Sequence, residues 1–247
     1  MLNPVRPVND AHYYLYPSGE PFHEIECSSK EGMRKTTIRD AKKHGAVPSV
    51  TTILKVISKE ALNAWKTNQA ILSALTHPNP DKLKADDLAK LIAEESKREA
   101  DLAKIKGKQI HAAIEQGLRT GTWVGDIANG FAAFASEHGM KAMETEKSFA
   151  TKDYGGTVDF CGIFRDKICI VDFKTHEKDE APFYDDWAYQ LEAYARPYLN
   201  VEQIVSLAIH RENPGQIDFK IWNNRDEAWQ VFQAAMKIWQ IQNKWGL

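Results

Sequence analysis

Two short apolar runs, each carrying one carboxylate, constrain the fold of this chain more than any other feature. The runs GTVDFCGIF and KICIVDFK are rich in β-branched residues and are separated only by Arg165 and Asp166, a pattern typical of two strands joined by a tight turn. Asp159 lies within the first run and Asp172 within the second. A buried ionised carboxylate is costly unless it is paired, so each acid requires a partner.

The length of the turn predicts the register of the two strands. A two-residue loop pairs Phe164 with Lys167, and counting back along both strands places Asp159 opposite Asp172. Such neighbours have Cβ atoms about 5 Å apart, a separation that divalent cations bridge. Lys174 lies beside Asp172 because residues two apart share a face, and it can orient or deprotonate a water. We expect a metal site, with a structural salt bridge among these side chains as the alternative.

The rest of the chain alternates between helical and strand patterns. Up to about residue 47 it indicates short strands and loops, whereas residues 58–76 and 81–118 are rich in helix formers, with Ser58 as an N-cap and a mild break at Gly107. The later elements are predicted as a helix at FAAFASEHG, a strand at METEKSFA, the hairpin, a helix at DDWAYQLEAYARPYL, a second hairpin of EQIVSLAIH and QIDFKIW, and a C-terminal helix. This order predicts an α/β fold with a mixed central sheet.

Length and composition bound the class of protein. We expect one domain over residues 1–247, with an N-terminal and helical portion (1–106) and a catalytic core (107–247). Three cysteines without C-x-x-C spacing indicate reduced thiols. The chain lacks a signal-peptide run and any stretch of ~18 apolar residues, which predicts a cytoplasmic protein not bound to membranes. The net charge of −2 does not exclude nucleic acid as a partner, because a net count hides local basic patches.

Five short motifs follow one another around the hairpin. They are G-x-x-x-H (Gly107 to His111), Glu146, G-T-V-D (Gly156 to Asp159), D-F-K (Asp172 to Lys174) and Q-x-x-x-Y (Gln190 to Tyr194). In this order, over about residues 107–194, the chain resembles the RecB-type branch of the PD-(D/E)XK nucleases. It is most similar there to small phage exonucleases and mitochondrial genome maintenance exonucleases, which also carry a Pro-Ser-Val-Thr segment like residues 48–51. Each motif is weak alone, whereas five in order are specific.

The resemblance implies a restriction-endonuclease-like mixed sheet flanked by helices, and it assigns roles to individual residues. It implies that Asp159 and Asp172 bind the metal, that Lys174 is the catalytic lysine and that His111 supplies an imidazole ligand. Two departures leave the carboxylates in place: Val precedes the first Asp where the family has Pro, and the second acid is Asp where Glu is commoner. No iron–sulfur cluster is expected, because the chain has no C-terminal cysteine.

The other motif residues each keep a structural alternative. His111 is a metal ligand or a satisfied structural histidine, although Gly107 one turn earlier would let the helix approach the sheet. Glu146 belongs to the site or faces solvent in an alternating strand. Gln190 and Tyr194 share a helix face and support the site, contact DNA or form a structural hydrogen-bonded pair.

The expected activity is hydrolysis of DNA phosphodiester bonds by water, with Mg²⁺ or Mn²⁺ as Lewis acid. Family resemblance favours an exonuclease that acts on a free end of single-stranded DNA. A structure-selective endonuclease of the same fold and a non-catalytic DNA-binding protein are the alternatives. Candidate DNA contacts are basic side chains and a helix N-terminus, which bind phosphate but have the same composition as a solvated loop. They are Arg34, Lys35, Arg39, Lys42, Lys43, Ser49 and Thr51.

Overall fold

The structure, a computed structural model of the chain, describes residues 11–27, 31–57, 60–76, 84–213 and 215–246. These residues form a five-stranded sheet, two small two-stranded sheets and seven helices. The predicted α/β class with a mixed central sheet is confirmed. None of the described helices combines the length and apolar composition that a bilayer crossing requires.

Nine elements beyond residue 84 build the body of the fold. In chain order they are α4 (Ala85–Thr120), α5 (Asp126–Glu137), β5 (Lys141–Ala150), β6 (Gly155–Phe164), β7 (Lys167–His176), α6 (Asp185–Ala195), β8 (Gln203–His210), β9 (Ile217–Ile221) and α7 (Arg225–Gln242). The strands lie in the order β5-β6-β7-β8-β9, and all neighbours are antiparallel except β7 and β8. A parallel pair requires a crossover connection, which α6 provides.

Helices cover both faces of this sheet. Ile110 of α4 packs with Phe160 and Val171 on one face, which we call the α4 face. Leu191 of α6 packs with Ile170 on the opposite face, which we call the α6 face. The apolar stripe of α7 also packs there. Its members are Trp229, Phe232, Met236 and Trp239.

The β6–β7 hairpin has the predicted turn and register. Its two turn residues have φ values of 50° and 65°, the left-handed backbone that matches the twist of paired strands. Phe164 pairs with Lys167 as predicted, and regular pairing ends at Phe160 and Val171. The two acids therefore lie one step beyond the last pair, where the ladder between the strands ends.

The strand β6 changes face at its acid. Residues two apart in a regular strand share a face, yet Val158 packs on the α6 face and Phe160 on the α4 face. The alternation is therefore broken at Asp159. As a result the Asp159 carboxylate opens into a groove beside α4, which it lines together with Thr175.

Seven elements precede this body. They are β1 (Tyr13–Leu15), β2 (Glu24–Glu26), β3 (Met33–Lys35), α1 (Ile38–His44), β4 (Ala46–Pro48), α2 (Val50–Leu54) and α3 (Glu60–Thr76). The prediction of only strands and loops up to residue 47 is wrong for α1. Thr37 and Asp40 form a capping box at its start, and Gly45 with φ 67° ends it. These local caps stabilise a helix that its run of basic residues did not reveal.

The helix α4 runs without a break for 36 residues. The predicted break at Gly107 is therefore wrong, because a single glycine costs only about 1 kcal/mol in a helix and its neighbours are strong helix formers. A Cβ at Gly107 would lie 3.2 Å from Thr175 Oγ1, so the glycine does allow a close approach of helix to sheet. Gly121, with φ 71°, ends the helix. The predicted N-cap Ser58 lies outside the described residues.

Candidate metal centre

Three side chains of metal-ligating type converge where β6 separates from β7. His111 comes from α4, Glu146 from β5 and Asp159 from β6, and one ligand atom of each lies within 4.8 Å of the others. We call this group the three-donor cluster. No other group of three His, Cys, Asp or Glu side chains meets that distance among the residues that the structure describes.

The backbone of Phe173 positions two of the three donors. Its N–H donates to Asp159 Oδ2 over 2.7 Å, which is available because β7 has no β6 partner at this point. The His111 ring also hydrogen-bonds to the Phe173 backbone and packs edge-on against the Phe173 ring. His111 Nδ1 lies 3.8 Å from Asp159 Oδ2. One residue of β7 thus sets the spacing between a histidine and a carboxylate.

Glu146 reaches the cluster through an irregular backbone. Its neighbours Thr145 and Lys147 pair with Phe160 and Val158, so Glu146 lies across the strand pair from Asp159. Its φ of 48° is uncommon for a residue other than glycine and interrupts the alternation of β5. Of the two alternatives left by the sequence, membership of the site is the one that the geometry supports.

Asp172, the second acid of the motifs, lies in a separate hydrogen-bonded group. Asp172 is only 4% exposed, and its Oδ2 lies 2.6 Å from Lys174 Nζ. Gln190 Nε2 donates to Asp172 Oδ1 over 2.9 Å and to the Tyr194 hydroxyl over 3.1 Å. Gln190 Oε1 accepts from Lys174 Nζ over 3.1 Å. We call these four residues the Asp172 network.

Close packing fixes the Asp172 network against β6. A Cβ at Gly156 would lie 2.6 Å from Cε1 of Tyr194, so only glycine accommodates that ring. Burial raises the pKa of Tyr194 well above its usual value, and the charge of Asp172 adds to the effect. Tyr194 therefore stays a neutral phenol that accepts from Gln190, so the two residues of the Q-x-x-x-Y motif form a hydrogen-bonded pair.

The structure brings together His111 and Asp159, the two residues that the resemblance implied as ligands, and adds Glu146 as a third potential donor. Asp172 is not a member of this cluster, although the sequence predicted it as a ligand facing Asp159. Two features of the backbone account for the difference: β6 changes face at Asp159, and the Asp172 carboxylate is directed to Gln190 of α6.

Burial and like charge act together on the three-donor cluster. Burial raises the pKa of Asp159 well above its usual range, and the charge of Asp172 raises it further. Glu146 is exposed at its outer side, and partial burial of its carboxylate raises its pKa, with contributions from Glu115 and Asp172. Burial lowers the pKa of His111, so its imidazole is neutral near pH 7 and keeps a lone pair for a ligand. The charge of Lys174 lowers the pKa of Asp159 but does not outweigh burial and like charge.

Lys174 has the opposite balance. Burial alone would lower the pKa of its ammonium group, but the charge of Asp172 and its hydrogen bond outweigh burial and raise the pKa. Asp159 contributes in the same direction. Lys174 is therefore protonated near neutral pH and acts as a hydrogen-bond donor and a positive charge, not as a base.

The donor set of the cluster fits a divalent metal ion. Two carboxylates suit Mg²⁺ and Mn²⁺, and a neutral imidazole adds a nitrogen ligand that favours the softer ion. The hydrogen bond from the His111 ring to the backbone is of the kind that orients metal-bound histidines. A cation would also offset the like charges that raise the pKa values of Asp159 and Glu146.

The cluster opens into a groove of about 530 Å³ along α4. Glu115 lines this groove, and it lies four residues after His111 on the same helix face. Glu115 was not among the predicted site residues, although its H-x-x-x-E spacing from His111 was a signal that could have found it. Thr175, predicted for no role, lies across the groove from α4.

The residues predicted to contact DNA differ in whether their side chains already have a structural role. Ser49 is 3% exposed, and its hydroxyl caps α2 by accepting from the Thr52 N–H. The structure thus gives Ser49 a structural role, while Thr51 is exposed. Ser49 also forms a bridge to Gly155, which places the Pro-Ser-Val-Thr segment beside the start of β6.

Two of the basic residues that precede this segment make contacts within the fold. Arg34 forms an ion pair with Asp40, and Lys42 Nζ donates to the carbonyls of Asn243 and Lys244 after α7. Both contacts stabilise the fold. The remaining candidates are exposed: Lys35, Arg39 and Lys43.

Comparison with known proteins gives few relatives. No family model matches the chain, and no curated protein matches it. Ten solved chains match in structure. One is the crystal structure of a protein designated SSO0001, which is 13% identical in sequence over 72% of this chain and 86% of that chain, with a TM-score of 0.35. A likeness of this degree identifies neither a family nor an activity.

Proposed function

We propose that this protein is a divalent-metal-dependent nuclease of the PD-(D/E)XK superfamily that hydrolyses phosphodiester bonds in DNA. The observation that carries the proposal is the three-donor cluster directly beside the ion pair of Asp172 and Lys174. A metal-binding group next to a protonated lysine is a combination that can catalyse phosphodiester hydrolysis. The five motifs in their order support the RecB-type branch and a restriction-endonuclease-like form of the mixed sheet.

In this proposal His111, Glu146 and Asp159 hold Mg²⁺ or Mn²⁺. The bound ion supplies Lewis acidity toward a phosphoryl oxygen and lowers the pKa of a coordinated water. Lys174 donates hydrogen bonds to the attacking water or to a phosphate oxygen and balances negative charge as it develops. Of the two roles expected for this lysine, its raised pKa favours orientation and charge balance over deprotonation.

Gln190 and Asp172 act through the lysine. Gln190 donates to the carboxylate and accepts from the ammonium group, so both ends of the ion pair are held in one orientation. Asp172 keeps Lys174 protonated inside a site from which water is partly excluded. Because Lys174 is already held in place, it loses less conformational entropy when the transition state forms.

The substrate in this proposal is single-stranded DNA with a free end. The test is digestion of end-labelled linear strands and of circular single strands, each with Mg²⁺, Mn²⁺ or EDTA. We expect metal-dependent release of labelled nucleotides from the linear strand and an intact circle. Cleavage of the circle would identify an endonuclease of the same chemistry. Absence of cleavage of both DNAs with either metal would contradict the proposed function.

A further inference from the structure

The groove beside the three-donor cluster has opposite charges at its two ends. Lys104, Lys108, His111 and Glu115 line it from α4. Their spacing of four, three and four residues places them on one helix face. Arg211 lines the groove as well. The charge therefore runs along the helix from positive, through the metal ligands, to negative.

The two lysines at the positive end are available to a ligand. Both are exposed, and neither forms an ion pair with any residue that the structure describes. Lys106, between them, differs because it pairs with Glu212. Arg211 uses its Nε to bind Glu177 over 2.8 Å, and its backbone N–H donates to His176 O, which anchors the guanidinium at the end of β7.

We propose that Lys104, Lys108 and Arg211 bind the phosphates of a nucleic acid strand on one side of the metal ligands, and that Glu115 marks the side where the strand ends. This inference rests on the proposed function and adds the direction in which the substrate lies. Lys108 is about 4.5 Å and Lys104 about 10.5 Å from His111 along the helix axis, at 1.5 Å per residue. That span corresponds to roughly three stacked nucleotides at about 3.4 Å each.

The charge gradient gives a physical reason for this direction. Each lysine that neutralises a phosphate releases counterions from the nucleic acid, and this release makes the free energy of binding more favourable. At the other end Glu115 brings like charge toward the backbone, which disfavours its continuation. The long part of a strand therefore lies over the lysines, and only its terminal nucleotides extend past the cluster. A groove of this kind releases short products from one end of the strand.

Binding without cleavage tests the phosphate subsite by itself. The probe is a fluorescently labelled oligothymidylate, followed by anisotropy in EDTA at a series of salt concentrations. The variant is Lys104→Gln with Lys108→Gln, and the matched control is Lys237→Gln, an exposed lysine on α7 across the sheet. The double variant should bind roughly 10-fold more weakly at 0.1 M salt, with a log–log salt slope flatter by about 1.4, since a single strand contributes about 0.7 per phosphate contact.

Lys104→Arg with Lys108→Arg should restore both the affinity and the slope, because the charge is kept. Glu115→Gln should strengthen binding several-fold without changing the slope contributed by the lysines. Equal slopes for wild type and the Gln variant, or no measurable binding by wild type, would overturn the subsite. Unchanged affinity in Glu115→Gln would overturn the proposed direction.

Cleavage assays keep this inference separate from the proposed function. If the nuclease proposal holds, the Gln double variant raises KM and leaves kcat near the wild-type value, because these lysines bind phosphates remote from the reacting bond. A normal salt slope in an active enzyme would reject the subsite alone. A flattened slope in a protein that cleaves nothing would keep the subsite as a nucleic acid contact and reject the nuclease.

Discussion

The two motif acids lie on neighbouring strands, yet the chain treats their charges in opposite ways. Asp172 has an ammonium group at 2.6 Å and an amide at 2.9 Å, so its charge is balanced within the protein. Asp159 has one backbone N–H and a neutral histidine, and among the described residues neither it nor Glu146 forms an ion pair with a lysine or arginine. One acid is already paired, whereas the other lacks a cation.

The difference between the two acids indicates which side of the site a metal ion would stabilise. A buried carboxylate without a counter-charge is costly, and a second carboxylate nearby increases the cost. The two carboxylates of the three-donor cluster therefore repel each other, and a bound cation would offset that repulsion. Asp172 already has a cation in Lys174, and replacing that lysine would leave a buried charge unpaired. The α4 side of the site offers the donor set that the proposed metal ion requires, and the α6 side holds the lysine.

The largest expected effect is loss of cleavage on substitution of either side. Asp159→Asn and Lys174→Gln should each lower kcat by at least about 10³-fold, which corresponds to about 4 kcal/mol of transition-state stabilisation. Asp172→Asn should act similarly by releasing Lys174 from its orientation. The measurement is single-turnover digestion of labelled DNA, with circular dichroism to confirm that each variant is folded.

Asp218→Asn is the matched control, because Asp218 is an exposed carboxylate on β9 of the same sheet. Its activity should equal that of wild type. Folded, fully active Asp159→Asn and Lys174→Gln proteins would contradict the site. Loss of folding in the Asp172 and Lys174 variants, with Asp159→Asn fully active, would support a structural salt bridge instead.

Metal binding should stabilise the protein through the unpaired acid. At metal concentrations about 100-fold above Kd, the free energy of unfolding should rise by about 2.7 kcal/mol. Asp159→Asn should abolish this gain, and Glu146→Gln should reduce it, whereas Asp172→Asn should retain most of it. Thermal melts with EDTA, Mg²⁺ and Mn²⁺ measure the effect. Equal gains in wild type and Asp159→Asn would show that the ion binds elsewhere.

The same acid predicts a pH dependence in EDTA. The pKa of Asp159 is raised in the folded state, so the folded protein holds its proton to higher pH than the unfolded chain, whose Asp titrates near 3.9. Stability contributed by this group therefore falls as pH rises from that value to the folded pKa. Asp159→Asn should remove this decline and be more stable than wild type at neutral pH without metal. A less stable variant in EDTA would contradict the charge imbalance.

Much of the Asp172 side could be predicted from the sequence. The two-residue turn fixed the register through Phe164 and Lys167, and residues two apart on a strand placed Lys174 beside Asp172. These relations depend on local geometry, which repeats along a strand or a helix. The proximity of Gln190 and Tyr194 could also be predicted, because a helix places residues four apart on one face.

The three-donor cluster could be predicted only in part. The change of face at Asp159 and the positive φ of Glu146 are breaks in alternation, and no regular pattern encodes them. Packing of α4 on the sheet brings Glu115 toward the same groove, which requires contacts between distant parts of the chain. Local rules therefore located the strands and the lysine, whereas tertiary packing decided which acids meet in the three-donor cluster.

A smaller effect should follow from disturbing the Asp172 network without changing its charge. Gln190→Leu removes the amide that bridges Asp172 and Lys174, so kcat should fall roughly 10- to 100-fold, as for other residues that orient ligands or catalytic groups. Tyr194→Phe removes only one acceptor of the amide and should have less effect. Metal-induced stabilisation should be unchanged in both variants, because neither contacts the three-donor cluster. A parallel loss of metal stabilisation in Gln190→Leu would break the distinction between the two sides.

The smallest expected effect concerns metal preference, and it tests the α4 side alone. An imidazole ligand favours Mn²⁺ over Mg²⁺ relative to a site made only of oxygens. Wild type should therefore reach half-maximal stabilisation at lower Mn²⁺ than Mg²⁺, and His111→Ala should narrow that ratio several-fold by weakening Mn²⁺ binding most. His138→Ala is the matched control, since His138 lies at the end of α5 among aromatic rings and away from the cluster. Titrations of the melting temperature with each ion measure the ratio. An unchanged ratio in His111→Ala would remove the histidine from the metal site and leave Asp159 and Glu146 as its two ligands.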